Sequence, residues 1–237
     1  MASKRGRLDQ FIARRLQVSK KAVRQLLIAN KVVVDGEYAK SPDLLINEFS
    51  HIICNGVVLQ QYQKQYYMLN KPDDVVSATI DDKHPTALSL LVGVDHDMLH
   101  IAGRLDLHST GLLLITNDAK WSAALMAPDN KVDKHYIVTL ANPIDESYID
   151  AFANGMYFEF EGITTLPAQL TILSTYQARV VLREGKYHQI KRMFGRFRNP
   201  VVGLHRESIG KIGLDKTLFL GQFRLLTTAE IDCVIQQ

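Results

Sequence analysis

The stretch His100 to Asn117, H-I-A-G-R-L-D-L-H-S-T-G-L-L-L-I-T-N, places an arginine and a carboxylate, Arg104 and Asp106, in a short polar loop between two apolar runs. Leu99 to Ala102 and Leu112 to Thr116 are brief, nearly continuous in apolar residues, and bounded by Gly103, Gly111 and Asn117, which predicts two short buried strands. Asp106 is thereby held at the edge of a core. A carboxylate there loses solvation and must find a cation or hydrogen bonds, so its neighbours set its reactivity. A structural aspartate in a turn fits this spacing as well as a reactive one, and the rest of the chain has to decide between them.

On either side of this motif the chain is strand-rich. Upstream, Tyr66 to Leu69 reads as a strand broken by Asn70-Lys71-Pro72, a turn signal that leaves Lys71 as a surface lysine. His84-Pro85-Thr86 precedes a helical stretch, Ala87 to Leu91. Downstream, Asp118 can cap a helix from Ala119 to Met126 that Pro128 ends. Lys134 to Leu140 alternates and is β-branched, a helix from Ser147 to Asn154 ends at Gly155, and Ala168 to Leu173 and Ala178 to Leu182 are further strands. Thr227 and Glu230 have the spacing of a capping box before a last short helix. Strands with a few covering helices predict an α+β fold with a mostly antiparallel mixed sheet rather than a doubly wound parallel one. Neither a G-x-G-x-x-G nor a phosphate-loop pattern is present.

The segment K-Y-H-Q-I-K-R-M-F-G-R-F, after Glu184-Gly185, has one apolar helical face formed by Ile190, Met193, Phe194 and Phe197. At about 100° per residue, Lys191 and Arg198 fall at the margin of that face, and Arg192 and Arg196 point away from it. Lys191 can then run along the core boundary into a pocket, whereas Arg192 and Arg196 face solvent or a polyanion.

The N-terminal region has a different character. Leu8, Phe11, Ile12 and Leu16 form the stripe of an amphipathic helix, and Ser19 can cap a second, Lys20 to Ala29, whose core face is Val23, Leu26 and Leu27. Asn30 can end it in a left-handed conformation, and Asp35-Gly36 and Asn55-Gly56 are hairpin turns of a small β lobe. The polar run Gln60 to Gln65 marks the boundary, giving domains of residues 1–61 and 62–237.

Charge is distributed unevenly. The net charge is only +3, yet residues 1–31 hold nine Lys or Arg against Asp9, and residues 183–211 hold eight against Glu184 and Glu207. Two basic zones on an otherwise acidic chain point to a polyanionic partner met at two places. No apolar run approaches the roughly 18–20 residues of a membrane helix, and the first ten residues lack a signal-peptide core, so a cytoplasmic protein with no membrane partner is expected. Cys54 and Cys233 are far apart with no partner at metal-ligand spacing, so they read as buried thiols, with neither disulfide nor metal site.

R-L-D-Q-F-I-A followed by V-S-K-K-A-V-R-Q-L-L-I-A-N-K-V-V-V-D-G resembles the S4 domain, a small αα-β RNA-binding module, over roughly Arg7 to Leu59. The resemblance implies an RNA-contacting face of Arg7, Arg14, Lys20, Lys21 and Arg24. A DNA-binding helix-turn-helix is the competing interpretation, but a β lobe directly after the second helix is not typical of it.

G-R-L-D-L-H-S-T-G-L-L-L-I-T-N-D, Y-Y-M-L-N-K-P, D-D-K-H-P-T, K-H-Y-I-V, Y-H-Q-I-K-R-M-F and V-V-G-L-H-R-E-S-I-G together resemble the pseudouridine synthases, in particular the branch that modifies small-subunit ribosomal RNA. By that resemblance Asp106 is the catalytic aspartate, Lys191 its cationic partner and Tyr136 the tyrosine against the target base. Arg104 helps hold the RNA open around an extruded nucleotide, and Lys186, Arg192 and Arg196 meet phosphates. The implied reaction breaks the bond between uracil and ribose and rejoins it through carbon, so neither a cofactor nor a metal-activated water is needed. The aspartate is left as nucleophile toward sugar or base, or as a base toward a sugar proton. The implied partner is 16S ribosomal RNA or a small-subunit assembly intermediate, met by a monomer, with a target of the uridine-516 type. A large-subunit target and a non-catalytic ribosome-assembly factor are the alternatives. At Leu107-His108-Ser109 the sequence departs from the acidic-threonine form expected of relatives, and His108 is expected to face solvent.

Overall fold

The computed structural model describes residues 6–235 and divides into two compact units, with the boundary between Gln65 and Tyr66. Lys4 and Arg5 of the first basic zone lie outside the described residues.

In the first unit, β1 (Gly6–Arg7) leads into α1 (Leu8–Leu16) and α2 (Lys20–Ile28), followed by β2 (Val32–Val34), β3 (Glu37–Tyr38), β4 (Leu45–Ile46), β5 (Ile52–Cys54) and β6 (Val57–Gln60). Ser19 caps α2 by accepting from the Ala22 amide at 3.2 Å. Asn30, Asp35 and Asn55 adopt left-handed conformations (φ 53°, 53° and 51°), which Asn and Asp tolerate because their short side chains bond locally. Leu8, Ile12, Val23, Leu27, Val32 and Ile52 form the unit's own core, on which β3-β2-β5-β6 packs as an antiparallel sheet. Arg14, Lys20, Lys21 and Arg24 remain exposed. Arg7 differs. Its guanidinium forks onto the buried Asp9 at 3.0 Å on both arms, and this ion pair holds the Asp9 carboxyl below the usual range. Cys54 is buried, whereas Cys233, expected to be, is partly exposed and donates to the Glu230 carbonyl.

The second unit is built on β7 (Tyr66–Lys71), β8 (His100–Ala102), β9 (Thr110–Thr116), β10 (Lys134–Leu140), β11 (Tyr157–Phe158), β12 (Ile163–Thr164), β13 (Gln169–Ser174), β14 (Gln177–Leu182), β15 (Val201–Ile209), β16 (Ile212–Gly213) and β17 (Phe223–Leu225). Its helices are α3 (Ala119–Met126), α4 (Ser147–Asn154), α5 (Gln189–Gly195) and α6 (Thr228–Ile235). The main sheet runs β13-β14-β10-β15-β9-β7-β17, with β8 beside β9 and β16 beside β15. All its pairings are antiparallel except β15 with β9, which is the mixed sheet expected.

Strands β7 and β9 are buried on both faces, which is why their sequences run apolar rather than alternating. Tyr67, Leu69, Leu113 and Ile115 join Tyr136, Phe152, Met193 and Phe194 in one core. Tyr66, Met68, Leu112 and Leu114 pack with Trp121 and Leu125 in another. Asp118 caps α3, accepting from the amides of Lys120 and Trp121 at 3.0 and 3.2 Å. The Thr227–Glu230 box closes as its spacing predicts: the Thr227 amide donates to Glu230 Oε2 at 2.7 Å and the Glu230 amide to Thr227 Oγ1 at 3.3 Å.

The turn expected at Asn70-Lys71 is instead the end of a six-residue strand. Asn70 and Lys71 pair with Leu112 and Gly111, and both are buried. The ladder continues to Lys71 because the partner strand β9 does, and only Pro72, which has no amide hydrogen to give, stops it. The helical stretch at Ala87 to Leu91 is a single 3-10 turn, Leu88–Leu90.

Candidate active site

Asp106 sits in the loop between β8 and β9, and almost every peptide around it is tied down. The Ser77 hydroxyl accepts from the Leu105 amide at 3.0 Å and donates to the Leu105 carbonyl at 2.8 Å. Arg206, buried on β15, donates to the carbonyls of Gly103 (2.7 Å), Arg104 (3.3 Å) and Leu112 (2.9 Å). Lys71, fully buried, donates to those of Pro72 (3.0 Å), Leu107 (2.9 Å) and Ser109 (2.7 Å). The Ser109 amide closes a turn on the Asp106 carbonyl at 3.1 Å. One cation thus grips the loop before Asp106 and another grips it after, while the carboxylate itself is left to the cleft.

Both cations correct the sequence reading. Lys71 is no surface lysine: burial pushes its ammonium down to about 8, against the opposing pull of Asp73 and Asp106. Its three protons each have a carbonyl acceptor, which only the charged form can supply. Arg206, counted in the second basic zone, is 1% exposed and unavailable to a polyanion in solution. Its strand packs so tightly on β9 that a Cβ on Gly111 (φ 101°) would lie 2.4 Å from the Arg206 carbonyl oxygen.

Across the cleft stands α5. Ile190, Met193 and Phe194 are buried in the core, and Lys191 leaves the edge of that face as its helical position predicts. Its Nζ lies 3.7 Å from Asp106 Oδ2. His188, not anticipated as a site residue, brings Nε2 to 3.5 Å from the same oxygen. Both nitrogens approach the same carboxylate oxygen, at ion-pair rather than hydrogen-bond range. Tyr136, 8% exposed on β10, forms the wall together with Leu204 and Leu182. The cleft has a volume of about 450 Å³, within the range of roughly 300–1,000 Å³ that holds small ligands, and is large enough for a nucleotide drawn out of an RNA strand.

Of the remaining expected residues, Arg104 and Lys186 line this cleft and are exposed. Arg192 and Arg196 do not. Arg192 forks onto Glu161 at 2.6 and 2.5 Å and lies over the Phe158 ring at 3.7 Å, and Arg196 donates to the Tyr157 carbonyl, so both brace the β11–β12 hairpin. His108 is exposed as expected, but it is not idle: Nδ1 is 3.0 Å from Asp73 and 3.1 Å from Asp74. These three are near enough to share a cation, although exposed acidic groups commonly meet without one. His188 precedes α5 in a left-handed conformation, so the helical spacing that locates Lys191 does not reach it.

A carboxylate in a loop held by its own backbone, faced by a lysine ammonium and an imidazole and walled by a tyrosine, has the groups that covalent or proton-transfer chemistry requires. On this mixed sheet, the arrangement is that of a candidate enzyme active site. Residues 65–195 match the family described as RNA pseudouridylate synthase, and the chain belongs to that family. It is 45% identical over 226 residues to the ribosomal small subunit pseudouridine synthase A of Pseudomonas aeruginosa, covering 95% of this chain and 98% of that one. It is 41% identical over 230 residues to the protein of the same name from Escherichia coli K12, covering 97% and 100%. A crystal structure of a pseudouridylate synthase, 38% identical, superimposes with a TM-score of 0.70 over 96% of this chain and 99% of the other. The chain is therefore an RNA-modifying isomerase.

Proposed function

We propose that this chain converts one uridine of small-subunit ribosomal RNA, of the uridine-516 type, to pseudouridine, with Asp106 as the catalytic carboxylate, Lys191 as its cation and Tyr136 against the target base. The observation that carries this reading is the meeting of Lys191 Nζ and His188 Nε2 on Asp106 Oδ2 inside the cleft. The end-to-end similarity to enzymes named for the small subunit supports the choice of RNA. In the reaction the N1–C1′ bond breaks, uracil turns within the site and C5 bonds to C1′. C5 loses a proton and N1 gains one, so atoms and electrons balance without an oxidant. The target has to leave its helix for C1′ to be reached. Arg104 and Lys186, exposed at the cleft, serve to hold the phosphates on either side.

The first unit acts as an S4-type RNA-binding domain through Arg14, Lys20, Lys21 and Arg24, and Arg7 buttresses Asp9 instead. The enzyme works as a monomer in the cytoplasm, where ribosomal RNA is its partner. Incubating the purified protein with small- and large-subunit ribosomal RNA transcripts, then mapping pseudouridine by carbodiimide treatment and primer extension, tests this. One new stop in the small-subunit RNA is expected, and a stop confined to large-subunit RNA would reassign the substrate.

A further inference from the structure

Tyr187 and His188 form a stacked pair on the wall of the cleft, with ring centroids 3.9 Å apart and planes 21° from parallel. His188 is the inner member, against Asp106. Tyr187 is the outer one: it lines the cleft yet is 74% exposed. An exposed tyrosine on a loop ordinarily swings, but this loop is fixed. The buried Gln189 accepts from the Lys186 amide at 3.0 Å and donates to Glu184 at 2.7 Å, and Arg192 donates to the Tyr187 carbonyl at 3.4 Å. One face of the Tyr187 ring is covered by His188 and the other is open. In sequence, Lys186 precedes it, with Nζ 3.9 Å from Glu184, and Lys191 follows it, with Nζ 3.7 Å from Asp106.

A rigid aromatic ring with one open face and lysines on either side in sequence suits an unpaired nucleotide: the ring takes the base and the charges take its phosphates. We propose that Tyr187 is a stacking subsite for an unpaired base adjacent to the target uridine. This rests on the reading of the cleft as the uridine site. The base on Tyr187 is not the target, because the target's C1′ must reach Asp106, which already touches His188, and the open face of Tyr187 lies a ring layer further out. A neighbour one backbone step away fits that distance. His188 is the spacer that fixes the stack relative to Asp106, so the subsite sets which nucleotide enters the cleft.

Steady-state kinetics on a small-subunit ribosomal RNA transcript test the proposal. Tyr187→Ala and Tyr187→Leu are expected to raise KM about 10- to 100-fold, with the loss falling on KM rather than kcat, while Tyr187→Phe and Tyr187→Trp restore a KM near wild type. An unchanged KM in Tyr187→Ala, or a Leu variant equal to the Phe variant, overturns it. The unsubstituted enzyme on the same transcript separates the two levels. If it makes no pseudouridine, the reading of the cleft fails and the subsite falls with it. If it is active and Tyr187→Ala matches it, the subsite alone fails.

Discussion

A fully buried lysine must share its charge with something, and Lys71 shares it with three peptide carbonyls, two of them in the loop just after Asp106. Arg206 does the same for Gly103 and Arg104 just before it. Removing either cation strands buried carbonyls, each of which costs about 1–3 kcal/mol when left unpaired. Lys71→Met should therefore lose roughly 3 kcal/mol or more by chemical denaturation, and pseudouridine formation should fall with it because the loop is no longer held. A Lys71→Met protein with wild-type stability and activity would show that the grip is dispensable.

Among the elements, β9 and β15 approach each other closely. The two strands run parallel at His205–Thr110 and Arg206–Gly111, and Gly111 has a positive φ where any side chain would strike backbone. Gly111→Ala is expected to cost about 2–4 kcal/mol from overpacking and a left-handed backbone, measured as a shift in denaturation midpoint. A shift of a few tenths would mean the strands separate easily. The same region shows what sequence can and cannot reveal. Strands β8 and β9 were legible because glycines bracket apolar runs, and α5 because its apolar residues repeat at helical spacing, which also put Lys191 at the right edge. Lys71 reads as a turn residue because Asn-Lys-Pro has turn chemistry, and only its pairing with β9 overrides that. Arg206 carries the same charge whether buried or exposed, and its partners lie about a hundred residues away in sequence. His188 escaped notice because it precedes α5 in a left-handed conformation (φ 48°), outside the helical pattern that located Lys191. The two-residue pairings β1–β4 and β11–β12 are too short to have a period.

At the scale of the molecule, a small basic unit with its own core precedes a larger catalytic one, and the charge asymmetry of the sequence survives folding in the first. Arg14, Lys20, Lys21 and Arg24 remain exposed, although Arg7, Arg192 and Arg206 are spent on internal contacts. Replacing Lys20, Lys21 and Arg24 together with Ala should weaken RNA binding and reduce the slope of log K against log salt by about 2–3, measured by filter binding across a salt series. An unchanged slope would remove the first unit from the interface. The central claim concerns Asp106, and the most direct measurement is pseudouridine formed by Asp106→Asn on small-subunit ribosomal RNA, alongside its RNA affinity. The amide keeps the shape and loses the charge, so product should be abolished while binding stays near wild type. Normal product formation by that variant would contradict the account.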